Sequence, residues 1–217
     1  MAAFKKLLLI TAALFLVIYL SAKLPTAVSQ TKPEIIISWQ SSSYAPPGFI
    51  GKILPTRGSK VSAALMLIDS GRIADLSKTE IRWFVNGELK KSGLGATQTA
   101  FTVPITMNSD MNLKASVLNY KNQIAEKIVR VPFAPPEIVI DAPYPEKKLE
   151  PKINSLRALP FFFNIERLSQ LSLTWTANGL VAQTGDDDSN ILELDLSAGR
   201  SGDAVDLSVT ATNRLNQ

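Results

Sequence analysis

The chain has 217 residues, 46% of them apolar, with 23 Lys+Arg against 19 Asp+Glu and neither cysteine nor histidine. Without cysteine there are no disulfide staples, no lipid-modified cysteine anchor, no thiol nucleophile and no cysteine metal site. Without histidine there is no imidazole base and little scope for zinc, so a chain of one or two domains must hold itself together by packing.

The chain opens with Lys5 and Lys6 ahead of an apolar run from Leu7 to Ala22. As a helix those 16 residues span roughly 24 Å at 1.5 Å per residue, against about 30 Å of bilayer core. That length favours a cleavable signal peptide over residues 1–29, with small residues at Ala27 and Ser29 ahead of Gln30. An uncleaved N-terminal membrane anchor through residues 7–22 is the alternative. Either way the body is expected to be exported: cell surface, periplasmic or secreted. Three of the 23 basic residues fall in the leader, so 20 face 19 acidic residues beyond it. That balance gives no reason to expect nucleic acid or an anionic membrane surface as partner.

Beyond the leader, short alternating apolar runs bounded by Gly, Pro, Asn, Asp and Ser predict an all-β chain. Strands are expected at Glu34–Gln40, Lys60–Ile68, Glu80–Val85, Ala100–Ile105, Asn112–Asn119 and Ala125–Val131. A second set is expected at Glu137–Asp141, Leu159–Ile165, Ser172–Ala177, Ile191–Leu196 and Val205–Thr212. Asn86-Gly87 and Asn178-Gly179 predict two-residue hairpin turns, in which both central residues need positive φ. Period-two alternation places Ile81, Trp83 and Val85 on one side, answered by Leu113, Ala115 and Val117. In the second set Leu171, Leu173, Trp175 and Ala177 are answered by Val205, Leu207 and Val209.

The two sets are copies. Pro33-Glu34-Ile35-Ile36-Ile37 recurs as Pro136-Glu137-Ile138-Val139-Ile140, Trp83 with Asn86-Gly87 as Trp175 with Asn178-Gly179, and Asn119 to Gln123 as Asn213 to Gln217. The offsets of 103, 92 and 94 residues are domain-sized, too long for a solenoid. Pro132, Pro135 and Pro136 stiffen the junction. The expected organisation is therefore an immunoglobulin-like domain at 34–134 and a second at 135–217, each a pair of antiparallel sheets closed over one tryptophan. Ser41–Ser59, with Pro46-Pro47-Gly48, is an irregular loop found only in the first copy.

A tryptophan in the third strand, then Asn-Gly, an apolar strand and a strand ending in Asn resembles the bacterial immunoglobulin-like and PKD-like β-sandwich modules. The whole resembles predicted surface proteins that carry such modules in tandem. The resemblance implies the sandwich and names no activity; the cysteine pair and the tyrosine of antibody-type domains are missing.

Candidate sites are few. Asp186, Asp187, Asp188 and Asn190 offer hard oxygen ligands to calcium, although the spacing is not that of an EF-hand and a solvated turn explains them better. Trp39, Tyr44 and Phe49 gather around the proline-rich loop and form a candidate binding patch for protein or glycan; the alternative is that Trp39 caps the core. Phe161-Phe162-Phe163 puts a ring on an outer face. Leu54-Pro55-Thr56-Arg57-Gly58 has the wrong order and place for a sortase signal. No base stands ready to activate a serine, and Asp69 and Asp75, a nominal carboxylate pair, belong to a loop. The expected function is a non-catalytic surface, adhesion or assembly module without a cofactor; a carbohydrate-active accessory protein and a spacer are the alternatives. After Asn216-Gln217 no counterpart of Ala125–Val131 follows, so the second domain is expected to be short of its last strand. Either the sequence is truncated or a partner donates a strand at the 205–212 edge.

Overall fold

The computed structural model describes residues 32–142, 148–184, 190–200 and 202–214. The expected leader lies outside them, and among the described residues no helix is long and apolar enough to cross a membrane. Regular structure there is β-strand apart from a 3-10 turn at Leu168–Gln170 and 3-10 geometry at Arg214.

The strands are β1 (Glu34–Ser41), β2 (Lys60–Asp69), β3 (Arg72–Ile73), β4 (Glu80–Val85), β5 (Glu88–Leu94), β6 (Gln98–Thr102), β7 (Met111–Tyr120) and β8 (Gln123–Val131). They continue as β9 (Glu137–Asp141), β10 (Ile153–Phe161), β11 (Leu171–Ala177), β12 (Leu180–Thr184), β13 (Ile191–Asp195) and β14 (Leu207–Asn213). In the first lobe β1 and β6 flank β2, the short β3 pairs with the far end of β2, and this sheet faces a second of order β5-β4-β7-β8. In the second lobe the sheets are β13-β10-β9 and β12-β11-β14. Both lobes run two strands in one sheet, two in the other, one back in the first and then again in the second. That antiparallel path is the immunoglobulin-like sandwich, and among the described residues the second lobe has no counterpart of β8.

Each lobe closes over its own indole ring. Trp83 and Trp175 are both 0% exposed. Around Trp83 the alternate residues of β2 (Val61, Ala63, Leu65, Leu67), β4 (Ile81, Val85) and β7 (Met111, Leu113, Ala115, Val117) are buried; around Trp175 lie Leu156, Ala158, Ile165, Leu171, Leu173 and Leu192. Each large aliphatic side chain removed from water contributes about 1.5–3 kcal/mol, which is how a chain without cross-links holds its sheets together. The Trp83 Nε1–H, which burial would otherwise leave unpaired, donates to the Ala96 carbonyl at 2.7 Å.

The turns agree with their chemistry. Asn86 and Gly87 have φ of 50° and 85°, Asn178 and Gly179 of 51° and 78°, the type I′ arrangement that lets β4–β5 and β11–β12 twist together. The strands that answer those turns, β5 and β12, are not among those the sequence predicts. β5 shows no apolar alternation because it runs along a sheet edge, where Glu88, Lys90 and Lys91 are all exposed.

One strand is displaced from its prediction. The expected Leu159–Ile165 is observed at Ile153–Phe161, for two reasons. Phe162 turns the chain with φ of 59°, a left-handed conformation that is costly for a bulky side chain. Upstream, Pro160 is tolerated because β13 pairs only with Ile153–Arg157 and β9 with Arg157–Phe161, so β10 is flanked on one side there and an amide N–H can be spared. Likewise the strand expected to reach Ile105 ends at Thr102, two residues before Pro104. The last strand begins at Leu207 instead of Val205, because the Asp206 N–H is taken by the Asn178 side chain at 2.8 Å.

Candidate functional site

The three aromatics of the predicted patch fall into two settings. Tyr44 forms an antiparallel bridge with Phe163: its N–H donates to the Phe163 carbonyl at 2.8 Å, and the Phe162 N–H donates to the Tyr44 carbonyl at 2.7 Å. Burial there raises the Tyr44 pKa. Phe49 packs edge-on to Phe161 and Phe162, with ring centroids 5.5 and 6.3 Å away, and remains 38% exposed. Trp39 leans on the first core and carries the Lys52 ammonium 3.7 Å above its ring. Tyr44 and Phe49 therefore join the first lobe to the second, and the Phe161–Phe163 run supplies the other half of that join.

The 41–59 loop is built for this. Ser59 Oγ accepts from the Thr56 N–H at 3.0 Å and donates to the Thr56 carbonyl at 2.7 Å. Arg57 Nε donates to the Met107 carbonyl at 2.8 Å, and the Ala134 N–H donates to the Pro55 carbonyl at 3.0 Å. Gly58 has φ of 75°, which a side chain rarely adopts, and a Cβ there would lie 2.8 Å from Asn164 Nδ2 and push that amide aside.

Of the acidic cluster, Asp186, Asp187 and Asp188 lie outside the described residues. Asn190 is described; its carbonyl accepts from the Ala158 N–H at 2.7 Å. Among the described residues no group of three metal-ligating side chains is placed to hold an ion.

The nominal carboxylate pair is committed to structure. Lys121 and the Tyr120 hydroxyl, the latter at 2.8 Å, hold Asp69 below the ordinary carboxylate range. The Ser77 amide does the same for Asp75. Backbone Phe133 N–H with Arg130 lowers Asp110, Ser116 with Lys114 lowers Glu126, and Ser197 lowers Asp195. A glycosidase acid needs the opposite shift. These carboxylates bind protons less well folded than unfolded, so the stability they add is complete above the usual carboxylate range and disappears as pH falls through their folded values. With no histidine to titrate, the melting temperature is expected to stay flat from about pH 5.5 to 8.5 and to drop below about pH 4. Asp69→Asn should flatten the acid limb for the first lobe; a fall already between pH 7 and 6 would contradict this account.

Two surfaces escape the sequence reading. On the outer face of the β5-β4-β7-β8 sheet, Phe84 stands opposite Leu89 on one side and Lys114 on the other, and Lys114 stands opposite Ile128. Leu89, Leu94, Ile124 and Ile128 are 51–72% exposed. Between the apolar positions runs a polar row, Ser92-Arg82-Ser116-Glu126, whose charges are already matched: Arg82 with Glu80 at 2.9 Å, Lys114 with Glu126 at 3.0 Å. Ile124 and Ile128, spaced by four within a strand of period two, are the available signal. On the outer face of the other sheet is a shallow groove of about 540 Å³ bordered by Ser38, Gln40, Ser62, Lys91 and Gln98.

No family model matches the sequence, and no curated protein matches it. Among solved structures the chain is similar to the fibronectin(III)-like modules of Clostridium thermocellum CbhA, at 12% identity over 83% of this chain and 86% of that one, with a TM-score of 0.33. It is similar to a Bacteroides uniformis beta-glucuronidase at 11% identity, over 86% of this chain but 29% of the enzyme, TM-score 0.34. It is also similar to SGBP-B of the Bacteroides ovatus mixed-linkage glucan utilization locus, solved with a mixed-linkage heptasaccharide, at 17% identity over 86% of this chain and 45% of that one, TM-score 0.27. At such values the sandwich rests on the strand order described above.

Proposed function

We propose that the chain is a non-catalytic, exported binding or assembly module of the cell surface or envelope, with immunoglobulin-like domains at 34–134 and 135–217 arranged like PKD-like modules in tandem. The observation that carries this is the outer face of the β5-β4-β7-β8 sheet. Its exposed Leu89, Leu94, Ile124 and Ile128 lie beside ion pairs that are already satisfied, so a partner can dry the apolar rows without stranding a charge. Exposed apolar area with interspersed arginine is the composition of a protein-binding surface.

A carbohydrate-accessory role is the second reading, favoured by the groove of hydroxyls and amides at Ser38, Gln40, Ser62 and Gln98, which Trp39 also lines. The test is binding of the chain to envelope fractions and to a glycan array, beside Ile128→Glu. Loss of envelope binding in Ile128→Glu with an unchanged melting temperature supports the protein-binding reading. Glycan binding untouched by Ile128→Glu supports the second reading, and release of reducing ends from polysaccharide would overturn both.

A further inference from the structure

The charges of the chain are divided unevenly between the repeats. Residues 34–134 hold 12 basic and 7 acidic side chains, and residues 135–217 hold 7 basic and 12 acidic ones. The near-balance of the whole therefore conceals two halves of opposite sign.

Local pairing sharpens the contrast. In the first lobe Asp69, Glu80, Glu88, Asp110 and Glu126 each pair with a cation of the same lobe. The surplus is cationic, and part of it surrounds the outer face of the β1-β2-β6 sheet. Lys60 lies on that face opposite Thr102, Lys91 borders its groove, and Lys52 sits over Trp39, which lines the groove as well. Glu34, at the far end of β1, is the one acidic group on this face. The groove floor is made of small side chains, Ser62 beside Ala100 and Ala64 beside Ser38. Next to it Ile36 and Met66 stand opposite each other, 38% and 44% exposed.

The second lobe presents the reverse. Leu156, Ala158 and Leu192 are buried beneath the β13-β10-β9 sheet, so the alternate residues lie on its outer face. There Glu137, Asp141, Glu193 and Asp195, all exposed, surround a single cation, Arg157. Among the described residues none of these five takes part in an ion pair. Val139, 46% exposed, stands opposite Leu159, and Ile153, opposite Asp195, is 59% exposed.

Both faces are open within one chain, so neither covers the other there. Each has an apolar centre, one ringed by lysines and the other by carboxylates. Burying either alone would strand its charges, whereas burying one against the other pairs them. The near-neutral body also spares copies of the chain the mutual repulsion that keeps highly charged proteins apart.

We propose that the chain self-associates head to tail, the outer face of the β13-β10-β9 sheet in one copy docking on the outer face of the β1-β2-β6 sheet in the next. The contact joins two different surfaces, so it propagates into an open row of copies unless the rotation between them closes a ring. This rests on the assembly-module reading and deepens it by naming the partner, a second copy of this chain.

The probe is the full chain in a non-ionic detergent, which keeps the apolar leaders apart, with fluorescence energy transfer between donor- and acceptor-tagged copies as the readout. Transfer is expected at about 20 mM salt and should fall at least about fivefold at about 500 mM, where charges are screened within a few ångströms. Lys52→Glu with Lys60→Glu, and separately Asp141→Lys with Glu193→Lys, should each abolish transfer among copies of the same variant. Mixing the two variants should restore it, because each reversed face then meets a reversed face of opposite sign. All four side chains are exposed, so the circular dichroism of both variants should match the parent. No transfer between parent copies, transfer that survives either pair of reversals, or no recovery on mixing overturns the proposal. So does a chain that stays single while its groove binds a glycan. Ile128→Glu, on the other sheet of the first lobe, should leave transfer unchanged, so its effect on envelope binding fails or succeeds separately.

Discussion

Replacing Trp175 with alanine is expected to unfold the second lobe while the first stays folded. Truncating a buried tryptophan costs about 3–5 kcal/mol, out of the roughly 5–15 kcal/mol that holds a small domain. The described buried core around Trp175 comprises seven residues, against seventeen around Trp83, and the inner side of β14 is only half covered. The loss therefore falls on the lobe with less in reserve. Trp83→Ala removes a ring of the same size and the hydrogen bond to Ala96, yet should leave the first lobe folded with a lower melting temperature. The check is amide hydrogen exchange and thermal unfolding read separately for each lobe, the fluorescence of Trp39 and Trp83 reporting the first lobe in Trp175→Ala. If Trp175→Ala melts as the parent does, the second indole is not what holds its lobe together.

The second large effect is expected from Asn154→Asp, a replacement of the side-chain amide by a carboxylate of the same shape. Asn154 is 0% exposed; its Nδ2 donates to the Glu150 and Lys152 carbonyls at 2.8 and 2.7 Å, and its Oδ1 accepts from the Glu150 N–H at 3.0 Å. The side chain thereby ties the approach to β10 into a closed turn. Aspartate puts a carboxylate oxygen against two carbonyls, and an uncompensated buried charge costs about 3–5 kcal/mol. Such a carboxylate binds its proton more tightly folded than unfolded, so the variant's deficit should shrink as pH falls through the carboxylate range and be largest at neutral pH. Melting curves of the two proteins at pH 7 and pH 4.5 test this. A deficit that does not change with pH would place the damage in packing instead.

The sequence is legible where the physics is local and periodic. Alternation in Ile81-Arg82-Trp83-Phe84-Val85 assigns the buried face because one side of a pleated strand meets the core, and Asn-Gly locates the hairpins because few other pairs accept positive φ twice. β5 stays hidden because Lys90 and Lys91 break any alternation, and β10 shifts because a paired proline and a left-handed phenylalanine depend on neighbours distant in sequence. The aromatic loop is the instructive case. Trp39, Tyr44 and Phe49 are visible as a cluster, but what Tyr44 and Phe49 meet is Phe161–Phe163, more than a hundred residues away, and nothing local to either segment announces the other. The outer-face rows of Ile124 and Ile128 likewise become legible only once register across four strands is known.

The Tyr44–Phe163 bridge has a consequence for how tightly its parts must bind. Two hydrogen bonds and three rings would scarcely bring separate molecules together. Residues 132–136 tether the halves, however, and a short tether sets an effective concentration of millimolar order. Even a feeble affinity is saturated under that condition. Selection can therefore erode several of these junction contacts in turn before the contact is lost, and tolerance at Phe49 or Phe161 would mark a grip with redundancy, not an idle surface.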